Sequence, residues 1–206
     1  MYRKGKKIEF YTELAKKQNY PARSVYKLKE IDEKYKIFEK GDRVLDLGCA
    51  PGSWLLYIAE KIGNTGTVVG ADVEEIKIPP KNNIKFIKKS VFDFKEGDFK
   101  DKFNPSPLAK GEGFDAVVSD MAPNTTGVIF VDSGKSLELS KKAFEIAKLL
   151  LKPGGNFVCK IFDSREATEF FKKLGKSFAF SKRFKPKAVI GRSKEFYIVG
   201  KGFKGF

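Results

Sequence analysis

The sequence predicts a doubly wound α/β protein on a mostly parallel sheet, and three observations carry that reading. Short apolar stretches with strand character alternate with amphipathic helical stretches along most of the chain. Three of the apolar stretches end in polar or glycine-rich residues: Val44-Leu45-Asp46-Leu47-Gly48-Cys49-Ala50-Pro51-Gly52, Ser119-Asp120-Met121-Ala122-Pro123-Asn124 and Val158-Cys159-Lys160-Ile161-Phe162. Strand ends of an open parallel sheet share one edge, and ligands bind at that edge. The last two strand-like stretches have no helix between them, which predicts an antiparallel hairpin at a sheet edge.

The elements follow in order. Residues 1–22 form a basic N-terminal extension, partly helical over 1–20. Residues 24–36 read as a helix with Val25, Leu28, Asp32 and Tyr35 on one stripe, Ile31 at its margin and Lys27 at its edge. Residues 43–47 are a strand, and 53–62 a helix burying Leu55, Ile58, Ala59 and Ile62. Residues 67–71 and 84–87 are strands. Residues 95–113, rich in Lys, Gly, Pro and acids, read as a loop insertion. A strand at 116–119 precedes a helix at 136–151, with Leu137, Leu139, Ala143, Ile146, Ala147 and Leu150 as its apolar residues. Lys152-Pro153-Gly154-Gly155 ends that helix. Residues 156–161 are a strand, 165–174 a helix, and 178–184 and 196–199 the last two strands. With no repeat or long low-complexity tract, residues 1–206 are expected to form one domain.

Composition narrows the function. The 206 residues carry 41 Lys and Arg against 26 Asp and Glu, a net charge of +15. From Lys176 onward nine basic residues face one acid, Glu195, and they interleave with aromatics. Phosphate-binding charge beside stacking surfaces suits RNA. No histidine is present, so His-based catalysis and His-ligated metals are excluded. Any proton acceptor must be Lys, Asp, Glu, Tyr or a water. Cys49 and Cys159 follow no metal-ligand spacing and read as small buried hydrophobes, and no metal is expected. No apolar run approaches the roughly 18 residues of a membrane span. The N-terminus lacks the apolar stretch of a signal peptide, so a cytoplasmic location is expected.

The loop at Asp46–Gly52 joins a strand to a helix. Gly48 and Gly52 let the backbone pass close to a ligand. The loop is neither Gly-x-Gly-x-x-Gly nor a phosphate-binding Walker loop, which disfavours a dinucleotide or a nucleoside triphosphate. Asp46, one residue before the glycine turn, suits a cofactor with a positive amino group. Asp72, at the next strand end, suits a ribose diol. Amino group plus ribose points to S-adenosyl-L-methionine (SAM).

Several motifs carry a family resemblance. Asp46-Leu47-Gly48-x-Ala50-Pro51-Gly52-x-Trp54 resembles the first motif of the FtsJ-type ribose 2′-O-methyltransferases. Arg23-Ser24-x-Tyr26-Lys27-Leu28-x-Glu30-Ile31 is similar to that family's N-terminal helix. The Ser119–Asn124 and Pro153–Phe162 stretches, and Ser193-Lys194-Glu195-Phe196-Tyr197-Ile198-Val199, resemble its later motifs. The resemblance runs from about Arg23 to Gly200. It implies a Rossmann-like class I SAM-dependent methyltransferase fold with a seven-stranded sheet.

The resemblance also implies a Lys-Asp-Lys-Glu tetrad, which falls on Lys27, Asp120, Lys160 and Glu195. A ribose hydroxyl must lose its proton during or just after attack on the SAM methyl, and a neutral lysine can accept it. Lys160 is expected to be that base. Lys27 is expected to supply a second positive charge and orient the hydroxyl. Asp120 and Glu195 are expected to hold the lysines, with Asp120 also close to the sulfonium. Further implied cofactor contacts are Gly52 and Trp54 near the methionine and Asp72 at the ribose.

One departure stands out. After the third strand the family usually shows Gly-Asp, whose acid binds adenine, and this chain has Lys89-Ser90. Ser90, Asp93 or backbone groups are the alternatives. The layout resembles most closely the enzymes that methylate a uridine ribose in large-subunit (23S-type) ribosomal RNA, with relatives acting on tRNA. The expected partner is therefore ribosomal RNA or the large ribosomal subunit, and the expected state a monomer. A non-catalytic RNA-binding assembly factor on the same fold would show a broken tetrad, and here all four positions are filled.

Overall fold

A computed structural model describes residues 2–94, 113–189 and 193–205. Among these residues seven strands form one sheet: β1 (Arg43–Leu47), β2 (Thr67–Asp72), β3 (Ile84–Lys88), β4 (Phe114–Ser119), β5 (Leu151–Phe162), β6 (Phe178–Phe184) and β7 (Glu195–Phe203). Their order is β3-β2-β1-β4-β5-β7-β6. The first five are parallel to one another, and β7 is antiparallel to both β5 and β6. The expected edge hairpin is present, with β7 returning inside β6 so that β6 forms the edge. The helices are α1 (Tyr2–Lys17), α2 (Val25–Tyr35), α3 (Ser53–Ile62), α4 (Ile129–Leu150) and α5 (Arg165–Gly175).

Each central strand is apolar on both faces because helices cover both sides of the sheet. Successive side chains point to opposite faces, so each strand feeds two cores. Val44, Val68, Ala116, Val118, Val158 and Tyr197 join α1, α2 and α3 on one side. Leu45, Leu47, Val69, Val117, Phe157, Cys159 and Ile161 join α4 and α5 on the other. Cys49 and Cys159 are free and buried in these cores. Among the described residues no helix is long and apolar enough to cross a membrane.

Three elements depart from the sequence reading. Helix α4 begins at Ile129 rather than at residue 136. Its early turns read poorly as helix because Val128–Val131 is a β-prone apolar run and Gly134 follows. Asp132 organises this start, accepting hydrogen bonds from the Thr126 amide (2.8 Å), the Thr126 hydroxyl (2.9 Å) and the Gly127 amide (3.1 Å). Strand β5 then starts at Leu151, so Lys152–Gly155 lies within the strand as an irregular start, where its register against β4 shifts between Phe114 and Ala116. The basic N-terminal stretch is a docked helix. Ala15 is buried, Tyr11 packs its ring 5.2 Å from Tyr26, and Lys7 Nζ donates to the Val189 carbonyl at 3.2 Å. The expected loop insertion at 95–113 lies, apart from Gly113, outside the described residues.

Candidate active site

The sheet topology places β1, β4, β5 and β7 side by side, and their ends at one edge carry the candidate residues. Asp120 follows β4, and Lys160 lies near the end of β5. Antiparallel register sets Glu195 opposite Phe162 and Tyr197 opposite Lys160. Helix α2 brings Lys27 over this edge, because burial of Val25, Tyr26, Leu28 and Ile31 fixes its rotation and leaves Lys27 at the margin.

The four tetrad side chains meet. Lys27 Nζ lies 2.6 Å from Glu195 Oε1 and 4.0 Å from Asp120 Oδ1. Lys160 Nζ lies 2.9 Å from Asp120 Oδ1 and also donates to the Asp120 backbone carbonyl. Only 6% of the Lys160 side chain is exposed, against 13–16% for the other three. Two cations and two anions balance in a nearly dry site, where removing one partner would strand a charge. Burial pushes the Asp120 carboxyl up, but Lys160, Lys27 and the Tyr197 hydroxyl outweigh it and hold the group below its usual range.

Tyr197 is a member of this site that the sequence reading did not assign. Its hydroxyl donates to Asp120 Oδ1 at 2.6 Å. Burial, then the nearby Asp120 and Glu195 charges, push that phenol well above its usual range, so it stays protonated and donates. The available signal was period-2 spacing from Glu195, which puts both residues on one face of β7. An aromatic in a strand reads as core, and the Tyr197 ring is core.

Beside the tetrad lies a cavity of about 470 Å³, lined by Gly48, Ala50, Asp72, Ser90, Phe92, Asp120 and Met121 among others. Gly48 sits at φ +75°, and a Cβ there would run into the Met121 side chain. Asp72 accepts hydrogen bonds from the Ala50 amide at 2.8 Å and the Glu74 amide at 2.9 Å, which ties the β1 loop to the end of β2. Ser90 accepts from the Phe92 amide at 3.3 Å and so caps the short turn Val91–Asp93. Asp93 is exposed and does not line the cavity.

Asp46 is fully buried, and neither of its carboxylate oxygens has a hydrogen-bond partner. Burial, with the Asp120 and Asp72 charges nearby, pushes its carboxyl well above the usual range. An orphaned buried carboxylate is costly unless a cation or donor meets it. These carboxylates, as acceptors, therefore fit a ligand with an ammonium group and a polar sugar.

Of the expected cofactor contacts, Gly48, Asp72, Ser90 and Asp120 line the cavity. Asp46, Gly52 and Trp54 lie outside its lining, Asp46 buried behind it near Asp72 and Asp120. Gly52 precedes α3 at φ +109°, where a Cβ would meet Ile78 at 2.7 Å. Trp54 is buried, its indole N–H donating to the Ser24 carbonyl at 3.0 Å and its ring 6.1 Å from Tyr197. It buttresses the start of α2 and so the approach of Lys27. Cavity residues that the sequence reading missed, Phe92 and Met121 among them, come from connections rather than from patterned elements.

A mostly parallel seven-stranded sheet with its last strand inserted antiparallel, and an acid–glycine loop after β1, define a Rossmann-like methyltransferase. The family model described as FtsJ-like methyltransferase matches residues 20–203, and the chain belongs to that family. It is 44% identical over 205 residues to the ribosomal RNA large subunit methyltransferase E of Desulfatibacillum aliphaticivorans, covering 98% of this chain and 95% of that protein. It is 41% identical over 199 residues to the protein of that name from Halorubrum lacusprofundi, covering 95% of this chain and 71% of the relative. Among solved structures, one assigned to a ribosomal RNA methyltransferase of Plasmodium falciparum superposes with a TM-score of 0.76 at 27% identity, covering 91% of this chain and all of that one. Aeropyrum pernix fibrillarin, solved with bound SAM, shares the fold at a TM-score of 0.53 and 18% identity, over 79% of this chain and 67% of that one.

Proposed function

We propose that this methyltransferase uses SAM to methylate a ribose 2′-hydroxyl in large-subunit ribosomal RNA, a uridine in 23S-type RNA. The observation that carries the reading is the closed Lys27–Glu195 and Asp120–Lys160 network at the mouth of the cavity. The names of the relatives supply the substrate class. The enzyme acts as a cytoplasmic monomer, and its excess of basic residues draws the polyanionic substrate to the site.

Asp46 would offer its carboxylate to the ammonium group of SAM, and Asp72 and Ser90 would hold its ribose and adenine. When bound, SAM supplies an electrophilic methyl group on a positively charged sulfur. The chain's own residues act on the acceptor. Lys27, held by Glu195, donates to the 2′-hydroxyl oxygen and fixes its direction of attack. Lys160, once it has given up its own ammonium proton, would take the hydroxyl proton as the oxygen–methyl bond forms and the sulfur–methyl bond breaks, its electron pair leaving with the neutral thioether. Asp120 anchors Lys160 and accepts from Tyr197, and its negative charge would favour a sulfonium beside it. Positioning two reactants in line supplies a large part of the acceleration, and the lysine base adds about 10²–10⁴-fold.

The test is transfer from methyl-labelled SAM into isolated large subunits, protein-free ribosomal RNA and tRNA from cells lacking the enzyme. Label in large-subunit RNA supports the reading. Label confined to tRNA overturns the substrate, and no label in any RNA overturns the reading.

A further inference from the structure

The first turn of α4 presents an apolar ledge with no cover. Val128 is 55% exposed, Ile129 59%, Phe130 83% and Val131 39%. Four consecutive exposed apolar residues on a strongly basic protein are unusual, because such patches mark contact surfaces. The ledge is not a frayed end: Asp132 ties it to the Thr126 and Gly127 amides, and Ser133 and Ser136 behind it are buried.

The ledge shares a cavity with Lys194, the residue before Glu195 of the tetrad. Ser136 Oγ accepts from the Phe162 amide at 3.0 Å, and Phe162 pairs in register with Glu195 of the tetrad. A small cavity of about 210 Å³ opens between Ile129, Asp132, Phe162, Ser193 and Lys194. It is below the ordinary size of a cofactor site, and Lys194 is exposed at its rim. An apolar shelf with an aromatic tip beside a small cavity with a cation at its rim matches one nucleotide: base on the shelf, phosphate at the lysine.

We propose that Phe130, with Ile129 and Lys194, holds the base and phosphate of a nucleotide flanking the one that is methylated, and so sets the register of the RNA strand in the site. This placement rests on the RNA-methylation reading above. It makes Phe130 a positioning residue that acts through the strand. Two features favour RNA over a protein partner. The ledge borders the tetrad through which the acceptor strand must pass, and the chain's net charge of +15 complements phosphate.

Phe130 is so exposed that its replacement should leave the fold intact. The experiment measures steady-state methyl transfer into protein-free ribosomal RNA and into large subunits, with Phe130→Ala, Phe130→Trp and Lys194→Ala beside the wild type. SAM affinity is measured in parallel. The expected result is a KM for RNA raised roughly 5- to 150-fold in Phe130→Ala. SAM affinity is expected to stay unchanged and Phe130→Trp to keep near wild-type KM. A photo-crosslinking phenylalanine at 130 is expected to trap RNA beside the methylated nucleotide. Unchanged kinetics in Phe130→Ala, or crosslinks only to ribosomal protein, would overturn the proposal while leaving the methylation reading standing. Absence of RNA methylation by the wild type would instead remove the reading on which it rests.

Discussion

Replacing Asp46 with Asn should make the protein without SAM more stable and less able to bind SAM, and the two effects share one cause. The Asp46 carboxylate is fully buried with both oxygens unpartnered. A buried polar group without a partner costs about 1–3 kcal/mol, and more when charged. An amide of the same shape is itself unpartnered there and removes only the excess cost of the charge, so the variant should gain on the order of 1 kcal/mol where the wild-type carboxyl is ionised. For a chain of this size each kcal/mol moves the midpoint by about 2–4 °C, so the expected rise is roughly 2–4 °C. The wild type should gain about 2.7 kcal/mol at a SAM concentration of about 100 Kd, and Asp46→Asn should lose most of that gain. The pH dependence carries the same signature. Because burial raises the Asp46 pKa, the folded protein holds that proton more tightly than the unfolded chain. Stability of the SAM-free wild type should therefore fall as pH rises from the ordinary carboxylate range through the folded value, and the variant should lack that slope. Thermal unfolding with and without SAM, across pH, reads all of this. A SAM-free variant that melts below the wild type, or one that keeps the full SAM shift, would refute the reasoning.

Lys160→Ala should reduce methyl transfer by about 10²–10⁴-fold while calorimetry finds SAM affinity nearly unchanged; substantial turnover would remove Lys160 from the base role. Asp120→Asn leaves the nearly buried Lys160 without its anion and should destabilise the protein by about 3–5 kcal/mol at neutral pH. Because the Asp120 carboxyl is held below its usual range, its contribution is present above about pH 4 and is lost as pH falls through the lower folded value. The gap between wild type and variant in urea unfolding should narrow accordingly in acid. A Lys182→Ala, Lys187→Ala pair should flatten the salt dependence of RNA binding by about 0.7–0.9 in slope for each phosphate that is no longer neutralised, and an unchanged slope would place the RNA grip elsewhere. Arg183 is a poor target for that assay: it pairs with Asp163 at 2.6 Å and lies 3.9 Å over the Phe196 ring, so it holds the hairpin instead.

The alternation of strands and helices and the closing hairpin were legible because both rest on short patterns, whereas the tetrad came from the family resemblance. Apolar runs such as Val44–Leu47 declare a strand covered on both faces. An acid or lysine at a strand end then has little reason to be there except to face the edge. The meeting of Lys27 with Glu195 was not legible from spacing, since it depends on helix α2 crossing over β7, and only the family resemblance supplied it. Tyr197 was hidden because one side chain serves two purposes, its ring in the core and its hydroxyl on Asp120. The start of α4 was missed because its first turn is held by Asp132 and a preceding loop, a tertiary device that overrides the local β preference of Val128–Val131. Trp54 carried a cofactor expectation from its motif, while its burial against Ser24 and Tyr197 places it behind Lys27.

The proposed chemistry centres on one atom, the ribose 2′-oxygen as methyl acceptor. The direct measurement is alkaline hydrolysis of large-subunit RNA methylated by this enzyme from labelled SAM, because a 2′-O-methyl group blocks cleavage at its own position. The label is expected in a single alkali-resistant dinucleotide that begins with a methylated uridine. Label released in ordinary mononucleotides would mean methylation of a base, and would contradict the assignment of Lys27, Asp120, Lys160 and Glu195 to ribose chemistry.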